Sequence, residues 1–366
     1  MTVRVERVFE LPAPPAEVWS FIADDEKGGR AALREVRRAL AGDERPGRTH
    51  PRGDRRGNAA DQPVRRRRPT AGRRDLLQAE TRRRTREPRG RHPGGTGAVR
   101  LALAQQEIEG ADIGDNVDRA VEAVASAAAD GADCVALPEV FNIGYFAFDA
   151  YAREAEPLGG PTHQRLRAAA IEHGVAVLAG TVVEDLAASA AAGEAVPEPE
   201  GLANTAVLFG ADGERRLVYR KHHLFGYDSA EAEMLVPGER LPTTDLGGHT
   251  VGVTTCYDLR FPELYRQLVD DDVTLVLVPS AWPYPRVEHW RLLPRARAVE
   301  NLLYVGAVNG SATFDDAALV GRSAVYDPWG TPVAAAGEEP TVVTTDCDPG
   351  RVAAVREEFP ALEDRR

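Results

Sequence analysis

The run Val273-Thr274-Leu275-Val276-Leu277-Val278 is apolar at every position but one. A strand that is apolar on both of its alternating faces must be covered on both, which calls for a sheet held between other layers. The same texture recurs from Ala98 onward. Strands are predicted over Val99–Ile108, Cys134–Val140, Val175–Val183, Val251–Thr255, Val273–Val278, Tyr304–Val308 and Ser323–Tyr326. Between them, Asp115–Ala129 places Val117, Val121 and Val124 on one helical face, and further helices are predicted around Gln164–His173, from Pro262 and through Arg297–Leu302. Val207–Lys221 reads as a hairpin turning at Ala211-Asp212-Gly213, and Ser189–Gly201 as a low-complexity loop. Strands and helices by turns, with no internal repeat, predict an α/β domain over residues 98–366.

The first 97 residues differ in kind. They hold 24 Lys+Arg against 14 Asp+Glu, whereas the remaining 269 hold 21 against 43, so the two parts carry +10 and -22. A body that acidic disfavours nucleic acid and membrane surfaces. Abundant carboxylates with almost no lysine are what a very salty cytoplasm selects, so a halophilic origin is expected. No run approaches eighteen apolar residues and the N-terminus lacks the order of a signal peptide, which predicts a cytoplasmic protein. Cys134, Cys256 and Cys347 form no CxxC pair, so neither a disulfide framework nor a structural zinc site is expected.

Within that first part, residues 1–24, with the string VRVERVFELPAPPAEVWSFIAD, resemble the opening of a START-like, polyketide-cyclase-type domain, and the fragment 1–27 is bounded at Lys27. Residues 28–97 carry Arg65–Arg68 and Arg82–Arg84, many Gly and Pro, and too few aromatic or β-branched residues to build a core, so they are expected to be disordered. An RNA-binding arm is one reading of such a tract. The preferred one lies in the genetic code: the Asp codon GAC, repeated and read out of register, gives the Arg codon CGA, so the segment is the relic of a frameshift in a GC-rich gene.

Reactive side chains cluster at predicted strand ends, where α/β sheets build their sites. Leu137-Pro138-Glu139 leads into the aromatic stretch Phe141–Tyr145, where a carboxylate entering an apolar cleft would titrate high enough to serve as a general base. Lys221 in Tyr219-Arg220-Lys221-His222-His223 is the one lysine of the acidic body, which suggests a need for a compact ammonium. Adjacent His222 and His223 point to opposite faces of a strand and are expected to pack and hydrogen-bond. Cys256 ends a strand just before a helix at Pro262, where free backbone N–H groups would lower a thiol pKa and bind an oxyanion. Cys134 and Cys347 read as small core residues. The loop Ser229–Gly238 offers two carboxylates, Glu231 and Glu233, and position alone does not choose between them.

LPEVFNIGY, YRKHHLF and CYDLRFPELYR, followed by PSAWP, RARAVEN and GRSAVYDPWG, resemble the nitrilase superfamily of carbon–nitrogen hydrolases from about Ala98 to the C-terminus. The resemblance implies a four-layer α-β-β-α sandwich, commonly paired into a homodimer. It further implies Glu139 as general base, Lys221 as oxyanion-stabilising cation, Cys256 as nucleophile and, six residues before the proline of Pro237-Gly238, Glu231 as the second glutamate. CYDLRFPEL is most similar to the ω-amidase branch. That similarity implies hydrolysis of a small carboxylate-bearing amide with release of ammonia, Tyr145, Tyr257 and Arg260 contacting substrate, and neither metal nor organic cofactor. N-carbamoyl hydrolysis, nitrile hydrolysis and an inactive binding protein are the alternatives.

Overall fold

The computed structural model describes residues 97–366 apart from 228, 315, 316 and 366. The START-like fragment and the Arg-rich stretch, up to residue 96, lie outside the described residues.

Two sheets carry the fold. The first contains β1 (Val99–Gln105), β2 (Cys134–Ala136), β3 (Ala176–Leu178), β4 (Val182–Asp185), β5 (Leu202–Phe209), β6 (Arg215–Arg220) and β13 (Thr341–Cys347), in the order β13-β1-β2-β3-β5-β4 with β6 also on β5. The second runs β12-β11-β10-β9-β8-β7, from β7 (Thr243–Leu246), β8 (His249–Val253), β9 (Leu275–Ser280), β10 (Tyr304–Asn309), β11 (Ala324–Tyr326) and β12 (Pro332–Ala335). Strands β1, β2 and β3 are mutually parallel, as are β8, β9 and β10.

Side-chain parity explains the layering. Val99, Leu101 and Leu103 of β1 join Leu275 and Leu277 of β9 in the apolar layer between the sheets, while Ala102 and Ala104 face outward. Outward-facing Val276 and Val278 of β9 enter a third layer. The outer layers are covered by α1 (Ile113–Ala129) and α2 (Pro161–His173) on the first sheet, and by α3 (Pro262–Asp270) and α4 (Val287–Asn301) on the second. The result is the expected four-layer α-β-β-α sandwich. On α1, Val117, Ala120, Val124 and Ala127 recur at helical spacing and are buried, and the Asp112 side chain caps the first turn by accepting from the Asp115 N–H. α2 starts on Pro161 and stops at Gly174, which takes up the left-handed conformation.

Several boundaries differ from those expected. Val175–Val183 is two strands, because the chain turns at Gly180, where φ is 51° and a Cβ would come within 2.0 Å of the Pro138 carbonyl oxygen. That contact lets the turn pack under the segment bearing Glu139. The helix expected through Arg297–Leu302 begins ten residues earlier and runs through Pro294. Leu186–Ala191, capped by Asp185, makes a helix of the start of the expected low-complexity loop. Strands β7, β12 and β13 and the helix α5 (Pro349–Glu358) have no counterpart in the sequence reading.

Candidate active site

Four strand ends converge. β2 leads through Leu137-Pro138 to Glu139, β6 ends one residue before Lys221, β8 is followed by Cys256, and β9 by Ala281. Glu139 is fully buried, and its Oε1 accepts from Lys221 Nζ at 2.7 Å and Asn204 Nδ2 at 2.9 Å. Its Oε2 accepts from the Ala281 N–H at 2.8 Å, so this carboxylate spans both sheets. Glu231 opens the short helix Glu231–Met234 and is equally buried. Lys221 Nζ donates to its two oxygens at 2.8 and 2.9 Å, Asn204 Nδ2 at 3.0 Å, the Tyr145 hydroxyl at 2.9 Å and the Phe225 N–H at 2.8 Å. Glu233, the other candidate of that loop, is exposed.

One ammonium thus faces two carboxylates in a dry interior. Burial raises the Glu139 carboxyl above its ordinary range, Lys221 opposes the rise and Glu231 adds to it. For Lys221, burial pulls downward but Glu139 and Glu231 outweigh it, holding the amine protonated well above the ordinary lysine value. Eight hydrogen bonds, three of them from the ammonium, satisfy the carboxylate oxygens well enough to keep charge inside the protein.

Cys256 begins the 3₁₀ turn Cys256–Arg260 with φ of 46°, a left-handed conformation that non-glycine residues adopt rarely and at a cost. It is 8% exposed, at the bottom of a cleft. The expected lowering of its thiol pKa is not what the surroundings produce. Burial pushes it well above the ordinary value and Glu139 adds to that, while Lys221 and the Ala281 N–H pull down less strongly. A resting thiol with a carboxylate beside it is therefore the arrangement, rather than a free thiolate. Cys134 and Cys347 lie in the inter-sheet layer, and burial drives both thiols up to about 12, as core residues should be.

The cleft above Cys256 encloses about 360 Å³ including its open mouth, walled by Tyr145, Phe225, Tyr257, Trp282, Arg260 and Arg286. Tyr145 places its ring 5.5 Å from Lys221 Nζ as well as bonding Glu231. The Arg260 guanidinium sits 5.8 Å from the Tyr257 ring and 5.2 Å from that of Trp282, and Arg286 lies 5.3 Å from Phe225. Among the described residues neither arginine has a carboxylate partner within 4 Å, although most arginines of this acidic body do; Arg260 instead meets His289 Nδ1 at 3.0 Å. A roomier hollow of about 900 Å³ between Leu158, Val196, Arg220 and Arg240 holds no nucleophile.

All seven residues singled out by sequence thus lie in or under one cleft. Sequence reading missed Asn204, whose signal was a lone amide in the apolar run LANTAVLF, and Arg286, which lies in a loop of unforeseen conformation.

A buried acid, an ammonium and a thiol at one cleft, on an α-β-β-α sandwich, define a cysteine hydrolase that works through an acyl-enzyme. Comparison with known proteins agrees. The carbon-nitrogen hydrolase family model matches residues 100–357. Omega-amidase NIT2 of Homo sapiens is 36% identical over 278 residues, 74% of this chain and 95% of that protein. The 2-oxoglutaramate amidase of Paenarthrobacter nicotinovorans is 31% identical over 280 residues, 74% and 90% of the two chains. Among solved structures, a mutant of the amidase from Nesterenkonia sp. AN1, a nitrilase-superfamily enzyme showing the result of Michael addition of acrylamide at its active site cysteine, superposes with a TM-score of 0.60 at 29% identity, over 72% of this chain and 98% of that one. The chain belongs to the carbon-nitrogen hydrolase family of the nitrilase superfamily, and it is an amidase that cleaves a non-peptide C–N bond through a cysteine.

Proposed function

We propose that Glu139, Lys221, Cys256 and Glu231 hydrolyse the terminal amide of a small carboxylate-bearing substrate. Glu139 takes the thiol proton as Cys256 Sγ attacks the amide carbonyl carbon. The resulting oxyanion is held by Lys221 Nζ and the Tyr257 N–H. The C–N bond then breaks, and ammonia leaves with the proton from Glu139. Water, deprotonated by the same carboxylate, attacks the thioester carbonyl, and the departing sulfur recovers the proton, which closes the cycle. Glu231 contacts no reacting atom in this scheme; it keeps Lys221 protonated and pointed at the carbonyl. No proton or charge in the scheme requires a cofactor.

The observation that carries this reading is the closed hydrogen-bonded cluster of Glu139, Lys221 and Glu231 beneath the one cysteine that opens on a cleft. For the acyl group, Arg260 and Arg286 are cations at the mouth of that cleft without a carboxylate partner among the described residues, fitted to a substrate carboxylate. The two amidase relatives, one of them named for 2-oxoglutaramate, support a free acid at the far end. Ammonia release from succinamate, butyramide, an N-carbamoyl amino acid and a small nitrile tests this. Succinamate is expected to be turned over fastest, and preference for the carbamoyl compound or nitrile would replace the ω-amide reading.

The hydrolase domain is read as residues 98–366, in a cytoplasmic and halophilic enzyme. Among the described residues no helix is long and apolar enough to cross a membrane. Homodimerisation would use the exposed apolar face of Leu292 and Val299, one helical stripe of α4, with Trp329 and Phe359 beside it. Leu292→Asp is expected to shift the sedimenting species from dimer to monomer.

A further inference from the structure

The site's residues are divided between the two sheets. Glu139, Asn204 and Lys221 belong to strands or strand ends of the first, and Cys256 follows β8 of the second. The layer between the sheets is apolar. Apolar burial is non-directional, so it resists separation of the sheets better than it resists their sliding. A nucleophile and its oxyanion cation need directional ties at the seam.

Asp258 supplies four. The residue is fully buried. Its Oδ2 accepts from the Thr255 N–H at 2.9 Å and the Tyr219 hydroxyl at 2.6 Å, and its Oδ1 from the His223 N–H at 3.0 Å and His223 Nδ1 at 2.9 Å. Thr255 immediately precedes Cys256, whereas Tyr219 and His223 flank Lys221 at two residues on either side. One side chain therefore grips the nucleophile's turn and both shoulders of the lysine. The bond to Thr255 N also spans Cys256 itself, whose left-handed φ of 46° persists only where the surroundings hold it. His223 is in turn stacked on Phe261, the residue after the turn, with ring centroids 3.6 Å apart and planes 9° from parallel. His222 stacks on Tyr219 at 5.4 Å. The adjacent histidines thus belong to the same seam.

We propose that Asp258 is a positioning residue that fixes Cys256 relative to Lys221 across the seam between the sheets. It reaches substrate only through others: through Thr255 N it sets the nucleophile's backbone, and through Tyr219 and His223 it sets the segment from which Lys221 projects. Substituting asparagine would replace one of the two carboxylate oxygens by an NH2 that cannot accept, so the bonds made to that oxygen are lost, and Tyr219→Phe would remove the hydroxyl that donates to Asp258 and accepts from the His222 N–H, with little change of shape.

The test measures kcat and KM for succinamate, the rate of Cys256 alkylation by iodoacetamide, and melting temperature, in wild type, Asp258→Asn and Tyr219→Phe. Misplacement of reacting groups by about 1 Å costs about a hundredfold, so Asp258→Asn is expected to lose about that factor in kcat, and Tyr219→Phe roughly tenfold, with KM within about twofold. Cys256 alkylation should slow in parallel. A purely structural Asp258 would lower the melting temperature yet leave kcat and alkylation of the folded protein at wild-type values, and that result in either variant would overturn the proposal. If Asp258→Asn does not fold, Tyr219→Phe, which keeps the carboxylate, decides alone. Alkylation requires no amide, so a wrong substrate assignment leaves this readout intact.

Discussion

Replacing Lys221 with arginine keeps the charge and changes only its shape, which isolates what the site asks of that residue. Lys221 Nζ is one nitrogen making bonds of 2.7, 2.8 and 2.9 Å to oxygens of two different carboxylates, in a space with no solvent exposure. A guanidinium would bring three nitrogens into that space and present a flat fork that favours one carboxylate bidentately. Overpacking of this kind costs about 1–3 kcal/mol. At roughly 2–4 °C per kcal/mol for a domain of this size, the melting temperature should fall by roughly 2–12 °C. The catalytic loss is larger in effect, because a misdirected donor no longer meets the oxyanion, and losing one such donor costs about 10²–10³ in kcat. Steady-state ammonia release beside differential scanning fluorimetry reads both quantities. A Lys221→Arg enzyme with kcat within about threefold of wild type would show that a bare positive charge suffices and would remove the compact ammonium from the mechanism.

Three further outcomes are expected. His163 of α2 is buried against Phe209, and burial pushes its imidazole down to about 4. The unfolded chain then binds the extra proton first, so stability is full above about 6.5 and about 3 kcal/mol is lost as pH falls through 4; His163→Leu should flatten melting temperature against pH over that window, and an unchanged slope would refute the assignment. The net charge of -22 over residues 98–366 repels itself, and at 1 M salt the Debye length shrinks to about 3 Å, so the melting temperature should rise from low to molar KCl. A constant value would show the acidic surface to be compensated already. Removing residues 1–96 should leave kcat and KM unchanged, since every residue of the proposed site lies beyond them; loss of activity would give that segment a catalytic part.

Much of the site could be read from the sequence, because each group sits at a strand end that local pattern marks. The both-face apolarity of Val273–Val278 foretold the buried sheet, and family motifs foretold Glu139, Lys221 and Cys256 in one place. Spacing to Pro237-Gly238 picked Glu231, and the structure brings that residue, not Glu233, onto Lys221. Long-range consequences were less legible. Pro294 reads as a helix breaker, yet α4 continues through it because packing of Trp290, Arg297 and Ala298 holds the helix on both sides. The Cys256 thiol was expected to titrate low on the strength of its turn, but burial and Glu139, 117 residues away in sequence, outweigh the local backbone. Asp258 stands in plain view within CYDLR, and nothing in that string discloses that Tyr219 and His223 will close on it.

The central claim is that Cys256 carries the acyl group as a thioester between two half-reactions. Rapid acid quenching during turnover of succinamate, followed by peptide mass mapping, tests it directly. The peptide containing Cys256 should carry the succinyl group, the adduct should convert to a hydroxamate when hydroxylamine is added, and Cys256→Ala should show neither adduct nor ammonia release. Turnover by Cys256→Ala above about a hundredth of the wild-type rate, or an acyl group on any other residue, would contradict the account.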